Sequence, residues 1–418
     1  MSPTGASEAQ GEWLSAADAA RRLGVKRETL YAYVSRGMLT SRRVPGGRES
    51  RFDPAEVARL AERSRAGGKA GALEIVIDSG LTLLDPAGHL FFRGWDVAEA
   101  CRQASFEQVA EWLWTGAPPE PSSHEGFGAP PAVMAAARHA VGSLEAGGRP
   151  MDLLRVALAA AATADPLRVD RRPDAVAAAG RRIISILVDT LPVVETKDGA
   201  AGAVASATRP IAERLWSRLA AGPGTPEQVA VLNAALVLLA DHEMASSTLA
   251  ARVAASTWAD PYLVVTAGLA ILGGPLHGGV GDRIVPLLSE AVRKGAHEAI
   301  AGKWRLGEPV EGFGHLVYRE RDPRADALWP LLQDAWPGHP MIGATREIIA
   351  AVTAHGDTFP NIDLMLAALA ASAPMIEGSA EVIFAVARTA GWLGHAIEEY
   401  KHRLRFRLRA AYTGPAPT

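Results

Sequence analysis

The stretch Gly312–Ala325, GFGHLVYRERDPRA, decides how this 418-residue chain reads. It sets a histidine, His315, directly after Gly-Phe-Gly, and an arginine, Arg324, nine residues later inside Asp-Pro-Arg. Glycines let backbone approach a ligand closely and adopt angles closed to other residues. Pro323 biases Asp322 away from helical angles, so Arg324 is expected to follow a turn and enter a new helix. Such a segment suits the presentation of an imidazole and a guanidinium to a small anion. It also suits a histidine that merely satisfies a loop ahead of a helix, and the rest of the chain must supply the partners that decide.

Working outward, further candidates flank it on both sides. His242 ends an apolar helical stretch in ADHEMASST. His277, in GGPLHGGVGD, is flanked by Gly273, Gly274, Gly278 and Gly279, more glycine than a packed core histidine needs. A helix opening at Gly278–Gly279 would aim its amide groups at a ligand beside that histidine. Asp363, in FPNIDLMLAAL, falls at or just inside a helix start and on its own reads first as an N-cap. Arg388 lies in a mostly apolar helix, ARTAGWLGH, where a buried guanidinium needs an anion. Arg403, Arg405, Arg407 and Arg409 alternate in HRLRFRLRAAYTG. An extended segment would put all four on one face; a basic surface tail is the plainer alternative.

Several chemistries are excluded by their missing patterns. Neither HxH nor HExxH spacing occurs, so no metal site is expected. No Walker lysine motif, no GxGxxG after a strand and no GxSxG is present, which argues against nucleotide chemistry and a serine-hydrolase elbow. The single cysteine, Cys101, rules out a disulfide framework and fits a reducing compartment. The opening residues are polar rather than basic-then-apolar, and the strongest apolar run, about 262–276, is too short to span a membrane. A soluble, cytoplasmic protein without membrane contact is expected.

With 48% hydrophobic, 21% charged and only 6% aromatic residues, and abundant alanine, the composition favours closely packed helices. The charge is uneven. Residues 1–69 hold 13 basic and 8 acidic residues, and the remainder 30 basic and 38 acidic, as expected of two domains with different partners.

Residues 1–12 read as disordered. Ser15 and Asp18 make a capping box, and Ala16, Ala19, Ala20 and Leu23 form an apolar stripe ended by Gly24. Arg27–Arg36 forms a second helix with Leu30, Tyr31 and Val34 inward, followed by a hairpin around Pro45-Gly46-Gly47 and a third helix capped by Asp53. Residues 13–65 resemble the winged helix-turn-helix of the MerR/excisionase type. That resemblance would set Lys26, Arg27, Thr29 and Tyr33 on or beside the recognition helix, and Arg42, Arg43, Arg48 and Arg51 on the wing within reach of DNA phosphates. A protein-contact or vestigial module is the alternative. Residues 66–72 read as a Gly/Ala/Lys linker. Short strands are expected around Asp85–Gly88, then one helix or two over Val97–Trp114, and mainly helix thereafter.

Six segments follow in order between Asp241 and Gly414: DHEMASST, GGPLHGG, GFGHLVYRERDPRA, FPNID, ARTAGW and RLRAAYTG. With FFRGWDVAEACRQASFEQVAEWLWTG (Phe91–Gly116) and RPMDLLRVALAA (Arg149–Ala160), they closely resemble the citrate synthase family. The resemblance implies an all-α, two-domain, multi-helical fold after the small winged helix-turn-helix domain. The large domain would be 73–277 and 373–418, the small domain 278–372, and the unit a homodimer. It implies condensation of acetyl-CoA with oxaloacetate followed by thioester hydrolysis, without a metal or other cofactor; 2-methylcitrate formation from propionyl-CoA is one alternative. A DNA-binding regulator that senses metabolites through a synthase body is another, and an assembly role for the N-terminal module a third. Residue by residue, Asp363 matches the base, His277 the donor to the thioester oxygen, and His315 the group polarising the ketone. His242, Arg324 and Arg388 match oxaloacetate ligands, and Arg407 one supplied to the neighbouring subunit. Gly312, Phe313, Gly314 and Leu316 fall in the CoA region. The family often has Arg where Leu316 stands, Asn where Ala245 stands, and Ala-Asn-Glu in place of Val280-Gly281-Asp282.

Overall fold

The structure is a computed structural model. It describes residues 13–23, 25, 27–35, 39–43, 50–54, 56–57, 76–85, 88–118, 126–144, 148–194, 208–279 and 281–407. The chain divides into two compact units, residues 1–78 and 79–418. Among the described residues no helix is long and apolar enough to cross a membrane.

The first unit holds β1 (Leu14–Ser15), α1 (Ala16–Leu23), α2 (Arg27–Ser35), β2 (Ser41–Arg43) and β3 (Ser50–Phe52). The strands run antiparallel in the order β1-β3-β2, with Phe52 opposite both Leu14 and Ser41. Ser15 Oγ accepts from the Asp18 amide, the expected helix start. Ala16, Ala19, Ala20 and Leu23 bury the predicted stripe against Leu30, Leu39, Phe52 and Val57. Tyr31 departs from expectation. It is 45% exposed and meets the Phe52 ring edge-on at 6.2 Å. One residue along a helix rotates the side chain by about 100°, so Tyr31 leaves the face that buries Leu30.

Of the residues expected to face DNA, Thr29 and Tyr33 are partly buried, and Tyr33 packs against the core. The Arg42 guanidinium lies 4.7 Å over the Trp13 ring, and Arg51 Nη1 donates to the Trp13 carbonyl at 3.2 Å. Lys26 and Arg48, the side chains of Arg27 and Arg43, residues 1–12 and the linker all lie outside the described residues.

In the second unit, β4 (Thr82–Asp85) and β5 (His89–Phe92) form the expected hairpin, extended by β6 (Trp95–Asp96). The stretch after Trp95 is two helices, α3 (Val97–Gln103) and α4 (Phe106–Thr115). Ser105 separates them by capping α4 in a box with Gln108. The remaining helices are α5 (Pro131–Gly142), α6 (Pro150–Ala164), α7 (Pro173–Asp189), α8 (Ile211–Leu219), α9 (Pro226–Leu239), α10 (Ser246–Ser256), α11 (Pro261–Leu272), α12 (Gly281–Lys294), α13 (Ala296–Arg305), α14 (Pro323–Ala335), α15 (Pro340–Thr353), α16 (Ile362–Ser372) and α17 (Ser379–Glu399).

The core is built around α17. All of its 21 residues except Glu398 are buried, the charged Glu381, Arg388 and Glu399 among them. Helices α4, α7, α9, α10 and α11 pack against it. Gly391 allows a close approach: a β-carbon there would fall 2.5 Å from the Ala240 carbonyl and closer still to Asp241. Its amide donates to Ala240 at 2.9 Å and fixes the end of α9, from which His242 emerges. Helices α12, α13, α15 and α16 pack on one another, and α14 bridges α16 to α9 and α3. The fold is all-α apart from these short strands, as the helix-rich composition leads one to expect.

Candidate active site

Two loops are stitched together at the centre of the site. The Gly314 amide donates to the Phe359 carbonyl at 2.8 Å, and the Asn361 amide to the Gly312 carbonyl at 2.9 Å. Asn361 Nδ2 adds a bond to the Gly314 carbonyl at 3.0 Å. Gly312 has φ +90°, and a β-carbon there would meet that of Leu364 at 2.9 Å, so both conformation and space demand glycine. This pairing brings the His315 loop against the start of α16. Asn361, not Asp363, is the cap: its Oδ1 accepts from the Asp363 and Leu364 amides. The Asp363 carboxylate is thereby left for the cavity.

That cavity encloses about 440 Å³. Its walls include His242, His277, His315, Arg324, Asp363 and Arg388, brought together from five separate segments. Gly314 and Leu316 line it too, with Leu316 fully exposed at the mouth beside Leu276. Gly312 is buried behind the wall, and Phe313 pairs with Pro360. Arg407 does not line the cavity of its own chain and is exposed. Arg403 and Arg405 do not share one face, since Arg403 lies 5.3 Å over the Trp258 ring and Arg405 pairs with Glu399 at 3.7 Å; Arg409 lies outside the described residues. Leu404, with φ +48°, breaks the extended run that a common face requires.

The three histidines are neutral. Burial pushes His277 down to about 4, with Arg388 as the next cause, and His315 down to about 4, with Arg324 next. Burial, then Arg324 and Arg388, hold His242 well below its usual value. Hydrogen bonds from backbone amides assign the proton of His315. His315 Nδ1 accepts from the Val317 and Tyr318 amides at 3.1 and 3.3 Å, so its proton sits on Nε2. His277 Nε2 lies 2.9 Å from Ser247 Oγ, which already accepts from Trp392 Nε1 at 3.3 Å. A hydroxyl oxygen can accept twice, so this contact serves either tautomer of His277. His242 Nε2 bonds Tyr318 Oη at 3.0 Å, and its ring meets His315 edge-on at 5.2 Å.

Asp363 is shifted the other way. Burial pushes its carboxyl up to about 6, opposed by Arg324 and reinforced by Asp322. Arg324 is held by Asp322, which accepts from Nε at 3.0 Å and from Nη2 at 2.9 Å. Arg388 has no such carboxylate. Its Nε donates to the Leu239 carbonyl at 2.8 Å, its Nη2 is buried without a hydrogen-bond partner, and burial pushes it down to about 10. A buried guanidinium with an unmatched donor at a cavity wall is a site for an anion.

Ser247, Tyr318, Phe384 and Asp322 join the site without having been singled out in the sequence, because each acts through a contact distant along the chain. Only Asp322 left a local signal, its place before Pro323 at a helix start. A second cavity of about 190 Å³ shares Arg324 as a wall, but its charges pair locally, His89 with Asp96 at 3.8 Å and Arg321 with Asp326 at 3.4 Å. Among the described residues no group of three His, Cys, Asp or Glu is placed to hold a metal ion.

Comparison with known proteins adds independent support. Residues 13–65 match a helix-turn-helix domain family. The chain is 36% identical over 209 residues to citrate synthase 2 of Bacillus subtilis (49% of this chain, 56% of that protein), so it spans about half the length of that relative. Citrate synthase of Acidithiobacillus ferridurans is 29% identical over 85% of this chain and 97% of its own. The solved ternary complex of Thermoplasma acidophilum citrate synthase with carboxymethyl coenzyme A and oxaloacetate superposes with a TM-score of 0.67 at 25% identity, covering 82% of this chain and 95% of the other. Residues 73–409 match the family described as citrate synthase, C-terminal domain, and by that match over most of its length the chain belongs to the citrate synthase family.

Proposed function

We propose that the chain condenses acetyl-CoA with oxaloacetate and hydrolyses the thioester, releasing citrate and CoA. The observation that carries this reading is one cavity holding a carboxylate raised to about 6, two neutral imidazole donors and two buried guanidinium groups. A methyl group beside a thioester is a very weak acid. Its proton goes to Asp363, whose raised value suits a base working near neutral pH. The electron pair moves into the thioester oxygen, where a ring N–H of His277 stabilises the developing enolate. The new carbon–carbon bond forms at the oxaloacetate ketone, whose oxygen takes up the proton offered by His315 Nε2. Water then cleaves the thioester bond.

Arg324 and Arg388 match the two carboxylates of oxaloacetate, with His242 completing the contacts. Arg407, exposed in its own chain, is assigned to the partner's site in a homodimer. Closure of the 278–372 segment over the bound substrates would exclude water until the carbon–carbon bond has formed.

Thiol release by the purified protein with oxaloacetate and acetyl-CoA tests this function. The same assay with propionyl-CoA tests 2-methylcitrate formation, since one methylene in an acyl pocket is worth only about 1–3 kcal/mol of discrimination. Absence of CoA release with either donor refutes the enzyme.

A regulatory role beside catalysis is favoured by the basic helix-turn-helix unit. The full chain should then bind its own upstream duplex with steep salt dependence. Failure to bind at low salt refutes that role.

A further inference from the structure

We propose that Asp322 is a positioning residue that aims Arg324 at an oxaloacetate carboxylate and ties it to the helix carrying Asp363. The proposal rests on the synthase reading above. Asp322 is fully buried, and both of its oxygens are doubly used. Oδ1 accepts from the Arg324 amide and from Arg324 Nε, each at 3.0 Å. Oδ2 accepts from Arg324 Nη2 at 2.9 Å and from the Ile362 amide at 3.0 Å.

One carboxylate therefore joins the first turn of α14 to the first turn of α16. It takes two donors of the Arg324 fork and leaves Nη1 for a ligand. A fork held on one edge has lost most of its rotational freedom before substrate arrives, so less is lost on binding. Because the same oxygen that holds Nη2 also holds the Ile362 amide, the guanidinium and the Asp363 backbone move as one piece.

The negative charge has a second effect. Asp363 is faced by Asp322 and Arg324 at the head of α14, Arg388 on α17 and Arg283 on α12, with the neutral His242, His277 and His315 around the same cavity. Of these charges, Asp322 alone favours the protonated base; the three arginines oppose it. Removing the Asp322 charge also leaves Arg324 uncompensated, and both changes lower the value for Asp363.

Two variants separate aim from charge. Asp322→Asn loses both, and should raise the oxaloacetate KM about 10- to 100-fold and move the acid limb of the kcat/KM profile below its wild-type position. Asp322→Glu keeps the charge but displaces the carboxylate by a methylene, and should raise KM while leaving the limb in place. Direct calorimetric titration with oxaloacetate should show the same weakening without any turnover.

Wild-type affinity and an unmoved limb in Asp322→Asn overturn the proposal, as does failure of both variants to fold, which would make the carboxylate purely structural. A wild-type protein that binds oxaloacetate but releases no CoA refutes the synthase reading instead; calorimetry on the variants still tests the aim of Arg324.

Discussion

Arg214 and Arg388 are both 1% exposed, yet their guanidinium groups meet opposite surroundings. Arg214, on α8, is closed in by Asp189 and Ser185 of α7 and by the Phe127 carbonyl, with bonds of 2.7 Å to Ser185 and 2.6 Å to Phe127. Arg388, on α17, lines the cavity and has one backbone acceptor, a neighbouring phenyl ring 4.6 Å away and a buried, unmatched Nη2. Burial alone therefore does not mark function. A buried charge whose hydrogen bonds are complete holds the fold, and one whose bonds are incomplete at a cavity wall is open to a ligand.

The largest test of this contrast is Arg214→Leu. It leaves Asp189 buried beside Ser185 without its cation, and should cost about 3–5 kcal/mol of folding stability. Denaturant titration measures it, and the oxaloacetate KM of the folded fraction should not change. A loss under about 1 kcal/mol would mean that the closed cluster does not hold α7 to α8.

Asp363 comes next. Its folded value of about 6 lies above the ordinary 3.8, so the fold favours the protonated form. The associated stability is fully present below pH 3.8 and is lost as pH rises through 6. Asp363→Asn should therefore be more stable than the wild type by about 2–3 kcal/mol at pH 8 and equal to it near pH 3.5. Melting curves at the two pH values decide. A difference that does not grow with pH would show that the carboxyl is not strained by its site.

Arg388→Leu should weaken oxaloacetate binding by about 10- to 100-fold, through loss of a charge-assisted pair. Its melting temperature should fall less than that of Arg214→Leu, because no carboxylate is hydrogen-bonded to the guanidinium and the nearby Asp241 keeps His395 and Thr82 as partners. A melting temperature lowered as far as in Arg214→Leu would erase the distinction between the two arginines.

Much of this was legible in the chain. The Ala16–Leu23 stripe, the hairpin at Asp85–Gly88 and the helix start at Pro323 depend on neighbours, and local patterns report neighbours well. Two helices expected from Gly180 and Gln228 begin earlier, at Pro173 and at Pro226, where Thr225 caps α9 in a box with Gln228. The site residues His242, His277, His315, Arg324, Asp363 and Arg388 were visible only through the order of their motifs. What joins them was not. The Asn361–Gly314 bond spans 47 residues and the Asp322–Ile362 bond spans 40, and no periodicity encodes such contacts. Asp363 shows the difficulty best, since local chemistry offers it as a cap until Asn361 is seen to fill that role.

The smallest expected effect concerns Ala245, which stands at the N-cap of α10 and in the cavity wall. Its angles, φ −54° and ψ 156°, suit a cap, but its methyl group accepts nothing from the first-turn amides. The first turn of α10 thus resembles Arg388 in leaving donors without a side-chain partner beside the cavity. The resemblance is limited, because backbone amides carry no net charge. An asparagine there would bend back over its own helix and accept from Ser247 or Thr248. Ala245→Asn should raise stability by about 1 kcal/mol and leave the oxaloacetate KM unchanged. A stability gain coupled to a several-fold rise in KM would place these amides with Arg388, as donors held open for the substrate.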